Sequence, residues 1–356
     1  MSSLNLKKYQ KDVLKANQTY SPSKINLKRH KEKYFSNLED LFFDKLFLNR
    51  DYFKNKNILD LGCGTGETGI FFKKAEAKSV IGVDFNQKSI DQANIYKKKN
   101  NLKNIKFICG DILKFSPKKK IDLVVCKGVL AHISNKDRVK LFKKIQKYPL
   151  SKGAKIILGF LDSGGNLIKL FQQIIINDLF KGKTDLEKFK YAKNLFKSNF
   201  KRFKKHGFRE PIQVFYDYFV NQRSYGLSHM KVLNNFESFT LVGSYPFNLQ
   251  LINSLPVNFK SKKITDYNYF LFQQMHWFNN TQIKIAKKNE NLLENYENSL
   301  ANKNLKNINK NNIQLKNKLK NLKKTFLLNF ENTSKDFFEF NNLVNFVLNV
   351  KNPVKV

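Results

Sequence analysis

Three glycines stand at alternate positions in Gly62-Cys63-Gly64-Thr65-Gly66, directly after the apolar run Ile58-Leu59-Asp60-Leu61. A helix is expected to start near Glu67, with Ile70, Phe71 and Phe72 on its apolar side. Glycine tolerates positive φ and brings no side chain, so such a turn lets backbone N–H groups approach a ligand closely at a helix N-terminus. Carboxylates accompany it. Asp60 lies in the first apolar run, and Asp84 ends a second one, Ser79-Val80-Ile81-Gly82-Val83. That is about twenty residues on, where a ribose-binding acid belongs in a strand–turn–helix nucleotide site. The spacing is G-x-G-x-G, with Glu67 where the dinucleotide fingerprint would place a third glycine. This disfavours a nicotinamide-dependent oxidoreductase.

The residues Ile58 to Phe72 resemble motif I of the class I S-adenosylmethionine-dependent methyltransferases. Val80 to Asp84 resembles the second motif of that family, Phe107-Ile108-Cys109-Gly110-Asp111-Ile112 the third, and Ile121 to His132 the fourth. Four motifs in family order are far more specific than one. The resemblance is strongest over residues 50–162 and fainter to about 288. It implies S-adenosylmethionine as cofactor and methyl transfer as the reaction. Gly62, Cys63, Gly64 and Gly66 would meet the methionine part, and Asp60 its ammonium. Asp84 would accept both ribose hydroxyls, since a carboxylate offers two oxygens to two O–H donors. Phe85 would pack on the adenine, Asp111 would accept from its amino group, and Ile112 would offer an N–H. Lys127 would contribute its carbonyl. The plainer alternatives are a helix-dipole role for Asp60 and a turn-capping role for Asp111.

The fourth motif reads Cys126-Lys127-Gly128, without the Asn-Pro-Pro-Tyr run of adenine N6 methyltransferases. Cys126 lacks the Pro-Cys context of the cytosine C5 enzymes and reads as a buried strand cysteine. His132 follows this strand, where a general base could reach an acceptor; structural packing is the competing role. Tyr216, Tyr218, Arg223, His229 and Tyr245 are candidates for an acceptor pocket, and an arginine among tyrosines suits an anionic acceptor. The cysteines Cys63, Cys109 and Cys126 make no metal spacing and no secreted disulfide framework, so no metal is expected and a cytoplasmic location is.

The elements needed to position these residues alternate. Strands are expected near 57–61, 79–83, 105–109, 121–126 and 154–160, and helices near 67–74, 87–99 and 136–147. That rhythm implies a parallel α/β sheet with right-handed crossovers, whose ligands bind beyond the carboxyl ends of the strands. With the resemblance, the expected fold is a Rossmann-like, seven-stranded, mostly parallel sheet with helices on both faces. Residues 1–49 would form an N-terminal helical lid, with a helix over about 31–48 and with Tyr9 and Tyr20 near the cofactor. Residues 50–162 would be the cofactor-binding core. Residues 163–235 would be a helical insertion forming the acceptor pocket. Residues 236–288 would close the core with a sixth strand near 239–245 and a seventh near 281–287. Residues 289–356 would be a basic helical extension.

The chain of 356 residues carries a net charge of +38, supplied almost wholly by lysine scattered along its length. Phosphate- and base-reading sites favour arginine, so compositional bias is the preferred reading over a dedicated nucleic-acid surface. No run of eighteen or so apolar residues predicts a membrane span, and the start of the sequence lacks the apolar stretch of a secretory signal. The favoured function is methyl transfer to a small-molecule acceptor. An RNA or protein methyltransferase recruited through the basic surface is the alternative, and a non-catalytic cofactor-binding scaffold is the third reading.

Overall fold

The computed structural model describes residues 34–46, 48–161, 172–180, 182–197, 199–201, 211–220, 225–227 and 229–243, with single residues at 166, 169, 317, 320, 321, 324 and 345. The chain divides into two compact units. One spans Leu27–Leu161 and Leu227–Asn280; the other takes Met1–Asn26, Asp162–Gly226 and Thr281–Val356.

The first unit is built on β1 (Asn57–Leu61), β2 (Ser79–Asp84), β3 (Ile105–Cys109), β4 (Ile121–Lys127) and β5 (Leu150–Gly159). Their order is β3-β2-β1-β4-β5, with every neighbouring pair parallel. The order reverses between β1 and β4, and this leaves a crevice at the carboxyl ends of those two strands. The central strands are continuous apolar runs because both faces are covered. Ile58, Leu59 and Leu61 of β1 and Leu123 to Cys126 of β4 have no exposed surface.

Between them run α2 (Glu67–Lys74), α3 (Gln87–Lys99) and α4 (Asn135–Gln146). Asn86 caps α3 by accepting the Lys88 and Ser89 N–H groups, and Ser134 caps α4 by accepting the Asp137 N–H. Ahead of β1 lies α1, helical over residues 34–39 and widening to a π-helix at Asp40–Lys45. Phe42 of α1 sits 5.6 Å from Phe71 and 5.4 Å from Phe72 of α2, and 5.4 Å from Phe53. This aromatic knot fixes α1 against the core.

The sequence pattern predicted seven strands; the described residues contain five. The expected sixth strand fails over its described part. Phe239 folds back instead, donating its N–H to the Phe236 carbonyl and meeting the Phe236 ring edge-on at 5.7 Å. Thr240-Leu241-Val242 forms no strand, and Val242 is 70% exposed. The seventh strand, 281–287, lies outside the described residues, as do Tyr9 and Tyr20. The preceding helix, His229–Asn235, belongs to this unit. Phe236 packs 5.2 Å from Phe142, and Gln146 Nε2 donates to the Asn235 carbonyl at 2.8 Å.

The second unit is helical in its described parts. A π-helix at Ile175–Leu179, a helix at Asp185–Leu195 and a helix at Pro211–Phe215 running into a π-helix at Tyr216–Val220 surround a phenylalanine cluster. Phe219 stacks 5.4 Å from Phe196 and 5.6 Å from Phe200. The wider π turn leaves carbonyls to be satisfied from elsewhere. Gln173 donates to the Tyr218 carbonyl and Asn177 to that of Phe219.

Candidate active site

The carboxyl ends of β1, β2 and β4 bring the glycine turn and its acids together. Gly62 and Cys63 both donate to the Val83 carbonyl, at 2.7 and 3.1 Å, so the turn is tied to β2. Gly64 donates to Asp84 Oδ2 at 2.9 Å, and Asn86 donates to Asp84 Oδ1 at 2.9 Å. Each glycine has a separate reason. A Cβ on Gly62 would stand 1.9 Å from Val129 Cγ2, where the loop after β4 leans over the turn. One on Gly66, at φ +83°, would stand 2.5 Å from Phe107 Cζ. Gly64, at φ +53°, has nothing within 4 Å of its missing Cβ. Its bare face opens on free space, which is the cradle a ligand needs. Gly82, within β2, makes room for Cys63, whose Sγ would lie 2.9 Å from an added Cβ.

The acids are buried. Asp60 is 3% exposed, and its Oδ2 has no hydrogen-bond partner. Burial pushes Asp60 up to about 7 against the pull of Lys127, with Asp84 and Glu67 adding to the rise. Burial also raises Glu67, opposed by the Thr65 hydroxyl, which donates to Glu67 Oε1, and by Lys127. Asp84 is raised by burial while the backbone N–H groups of Asn86, Gly64 and Phe85 hold it down. Lys127 is the cation of this group, lowered by burial and raised by Asp60 and Glu67. An orphaned buried carboxylate oxygen beside an open glycine cradle fits a ligand with a cationic end and a sugar.

The other expected residues are placed differently. Asp111 follows β3; its Oδ1 accepts the Leu113 N–H at 2.8 Å and its carbonyl accepts from Lys114 and Phe115, so it does shape a turn. Phe85 is half-buried and Ile112 is buried. Cys126 is fully buried and its thiol is pushed up to about 12 by burial and Asp60, consistent with a packing cysteine. His132 is half-buried in a 3-10 turn, Leu130–His132. Tyr216 and Tyr218 belong to the second unit, and Lys169 Nζ lies 5.3 Å from the Tyr218 ring. His229 begins its helix with its ring 4.9 Å from Phe160, just past β5. Arg223 and Tyr245 lie outside the described residues.

Sequence reasoning missed four contributors. In the sequence Glu67 reads only as the start of a helix, and Thr65 is given no role. Tyr34, on α1, reaches the crevice with its ring 5.9 Å from Lys127 Nζ. Arg138, 1% exposed, donates Nε to the Leu130 and Ile133 carbonyls at 2.8 and 3.1 Å and so braces the turn bearing His132. The available signal was its helical spacing with the apolar Leu141, Phe142 and Ile145.

Among the described residues no helix is long and apolar enough to cross a membrane. Residues 53–177 match a family model described as a methyltransferase domain. The chain is 44% identical over 61 residues to an uncharacterized RNA methyltransferase of Mycoplasma mobile, covering 17% of this chain and 16% of that one. It is 34% identical over 115 residues to the ribosomal protein L11 methyltransferase of Fusobacterium nucleatum, covering 32% and 35%. It is 35% identical over 97 residues to the ubiquinone biosynthesis O-methyltransferase of Pelagibacter ubique, covering 26% and 39%. The chain thus spans well under half the length of these relatives. The matched stretch contains all five strands, the glycine turn and its acids, so the residues similar to a methyltransferase domain are those that build the crevice.

Proposed function

We propose that this protein is an S-adenosylmethionine-dependent methyltransferase acting on a small-molecule acceptor held by the insertion at 163–235. The observation that supports the cofactor is the buried, unpartnered Oδ2 of Asp60 beside the open face of Gly64. S-adenosylmethionine supplies an electrophilic methyl group on a sulfonium sulfur. The chain's task is to align an acceptor with it and exclude water.

In this reading the glycine turn, Gly62 to Gly66 with Cys63, leaves room for the methionine end, and Asp60 faces the ammonium. Asp84 Oδ2 accepts the Gly64 N–H and Oδ1 the Asn86 N–H, and the carboxylate also accepts the ribose hydroxyls. Phe85 stacks on the adenine, Asp111 accepts from its amino group through the oxygen not engaged by Leu113, and Ile112 offers its N–H. His132 accepts the acceptor's proton. Tyr216, Tyr218, Arg223 and Tyr245 are the candidates for binding the acceptor.

The net charge of +38 favours a second reading, in which RNA or a protein, recruited through this chain's own basic surface, is the acceptor. Radiolabelled methyl transfer into small-molecule, RNA and protein fractions of a cell extract separates the two. Label confined to the small-molecule fraction supports the first; label confined to RNA or protein replaces it with the second.

A further inference from the structure

Lysines that are scattered along the sequence are gathered by the fold. All five strands run parallel, so each segment that enters a strand comes to the same edge of the sheet, opposite the crevice. Lys56 precedes β1, Lys78 precedes β2, Lys103 lies ahead of β3, and Lys118 to Lys120 run into β4. Lys152 stands where the β4–β5 register is broken at the start of β5. Lys56 is half-buried and the others are exposed. The carboxyl ends carry the reverse sign, in Asp60, Glu67, Asp84 and Asp111. Lysines in the last turns of α2, α3 and α4 are accounted for by the helix dipoles. Those in the loops beyond them are not. Like charges gathered on one edge repel one another. Among the described residues Glu76 pairs with Lys54 at 3.4 Å, and the Asp122 carboxylate is taken by the Asn57 N–H at 2.7 Å. The edge therefore favours a partner that brings negative charge.

The layout of the edge narrows the partner. Five strands at a spacing of about 4.8 Å spread these lysines over about 20 Å, too wide for one phosphate ion and suited to a chain of them. Tyr52 stands among them. Its half-buried ring lies 5.9 Å from Lys56 Nζ and 5.6 Å from Lys155 Nζ, and its hydroxyl donates to the Asp122 carbonyl at 3.5 Å. An anchored aromatic ring flanked by cations is a platform for an unstacked base and its phosphates. The exposed large apolar side chains among the described residues are Ile95, Val139, Leu186, Leu195 and Val242, none of them in these loops. A lipid surface would find no apolar anchor there.

We propose that the edge formed by the amino ends of β1 to β5 is a binding surface for a single-stranded nucleic acid, with Lys78, Lys103, Lys119 and Lys152 meeting phosphates and Tyr52 a base. The five residues of β1 separate that edge from the crevice by about 17 Å. Nucleic acid held there is not thereby the methyl acceptor. The inference goes beyond the methyl-transfer reading and stands or falls on binding alone.

Fluorescence anisotropy on the full chain, with a labelled oligoribonucleotide of about sixteen nucleotides and a series of salt concentrations, tests this. Two variants each lose four charges. One combines Lys78→Gln, Lys103→Gln, Lys119→Gln and Lys152→Gln. The control combines Lys190→Gln, Lys193→Gln, Lys197→Gln and Lys201→Gln, exposed lysines of the second unit. Loss of four phosphate contacts should reduce the slope of log K against log salt by about 3 and weaken binding at low salt by about ten-fold or more. The control should keep the wild-type slope. Tyr52→Leu should weaken binding by about five-fold or more and leave the slope unchanged. Melting temperatures matching the wild type show that the variants are folded. Equal losses from the two quadruple variants overturn the proposal, because the charge then acts from the whole chain rather than from this edge. Wild-type protein that binds no oligoribonucleotide at low salt overturns it at once. Wild-type affinity in Tyr52→Leu, or competition by polyglutamate as effective as that of unlabelled RNA, overturns it in favour of an acidic protein partner.

Discussion

The Gly64 N–H donates to Asp84 Oδ2 at 2.9 Å. This one bond joins the glycine turn after β1 to the acid that ends β2. The carboxylate therefore shapes the glycine turn, and in the proposed function the same oxygens would meet a sugar. A second bond, from the Asn86 N–H to Asp84 Oδ1, ties the same side chain to the cap of α3. The candidate site is pre-formed because Asp84 is held by both bonds.

Substitution of two turn glycines should separate folding from binding. Gly64→Ala places its methyl in open space at a left-handed φ, at a cost of about 1–2 kcal/mol. The protein should stay folded and lose cofactor affinity, because the methyl fills the cradle. Gly66→Ala should lower thermal stability more, because its methyl meets Phe107 inside the core. Melting curves together with S-adenosylhomocysteine titrations distinguish the two. Equal loss of stability with equal affinity would remove Gly64 from the ligand face.

Asp60 makes stability depend on pH. Its folded value, about 7, lies above the ordinary carboxylate value near 4. The folded protein then holds a proton that the unfolded chain has released, so this contribution is full below about pH 4 and falls as pH rises to about 7. Glu67 and Asp84, both raised, act in the same sense, while Lys127, lowered, acts oppositely toward alkaline pH. Asp60→Asn should gain on the wild type by about 2–3 kcal/mol between pH 5 and pH 8. Urea unfolding at the two pH values reads the difference; a constant gap would mean that Asp60 is not raised.

Cofactor binding should displace that proton. A cationic ammonium beside Asp60 favours the carboxylate, so binding near pH 6.5 releases a fraction of a proton. Binding enthalpies in two buffers of different ionisation enthalpy measure it. No buffer dependence would place the cation away from Asp60.

Arg138 braces the loop carrying His132 through three hydrogen bonds, to the Leu130 and Ile133 carbonyls and to Asn135 Oδ1. Arg138→Met leaves buried carbonyls without donors and should cost about 3 kcal/mol or more. The variant's melting temperature, compared with that of His132→Ala, checks this. A small loss for Arg138→Met would show that water replaces its donors.

The core elements were legible because the apolar runs at Ile58, Val80, Ile105 and Leu123 form strands and each glycine or capping residue stands where its geometry requires. Asn86 and Ser134 carry that local chemistry openly. The sixth strand was not legible: Thr240-Leu241-Val242 has strand composition, but the ring contacts of Phe236 with Phe142 and Phe239 govern the approach to it. The acids within the site were half legible. Asp60 and Asp84 announce themselves by their place at strand ends, whereas Glu67 and Lys127 gain meaning only when β1, β4 and α2 converge. Arg138 and Tyr34 act through contacts with residues that no local pattern pairs with them.

The most direct test is calorimetry of S-adenosylhomocysteine with the full wild-type chain and with Asp84→Ala. One-site binding is expected in the wild type, weakened about ten-fold or more in the variant by loss of the ribose acceptor. Wild-type protein that binds no adenosyl ligand, or an Asp84→Ala protein that binds it unchanged, would contradict a nucleoside site at the carboxyl ends of β1, β2 and β4.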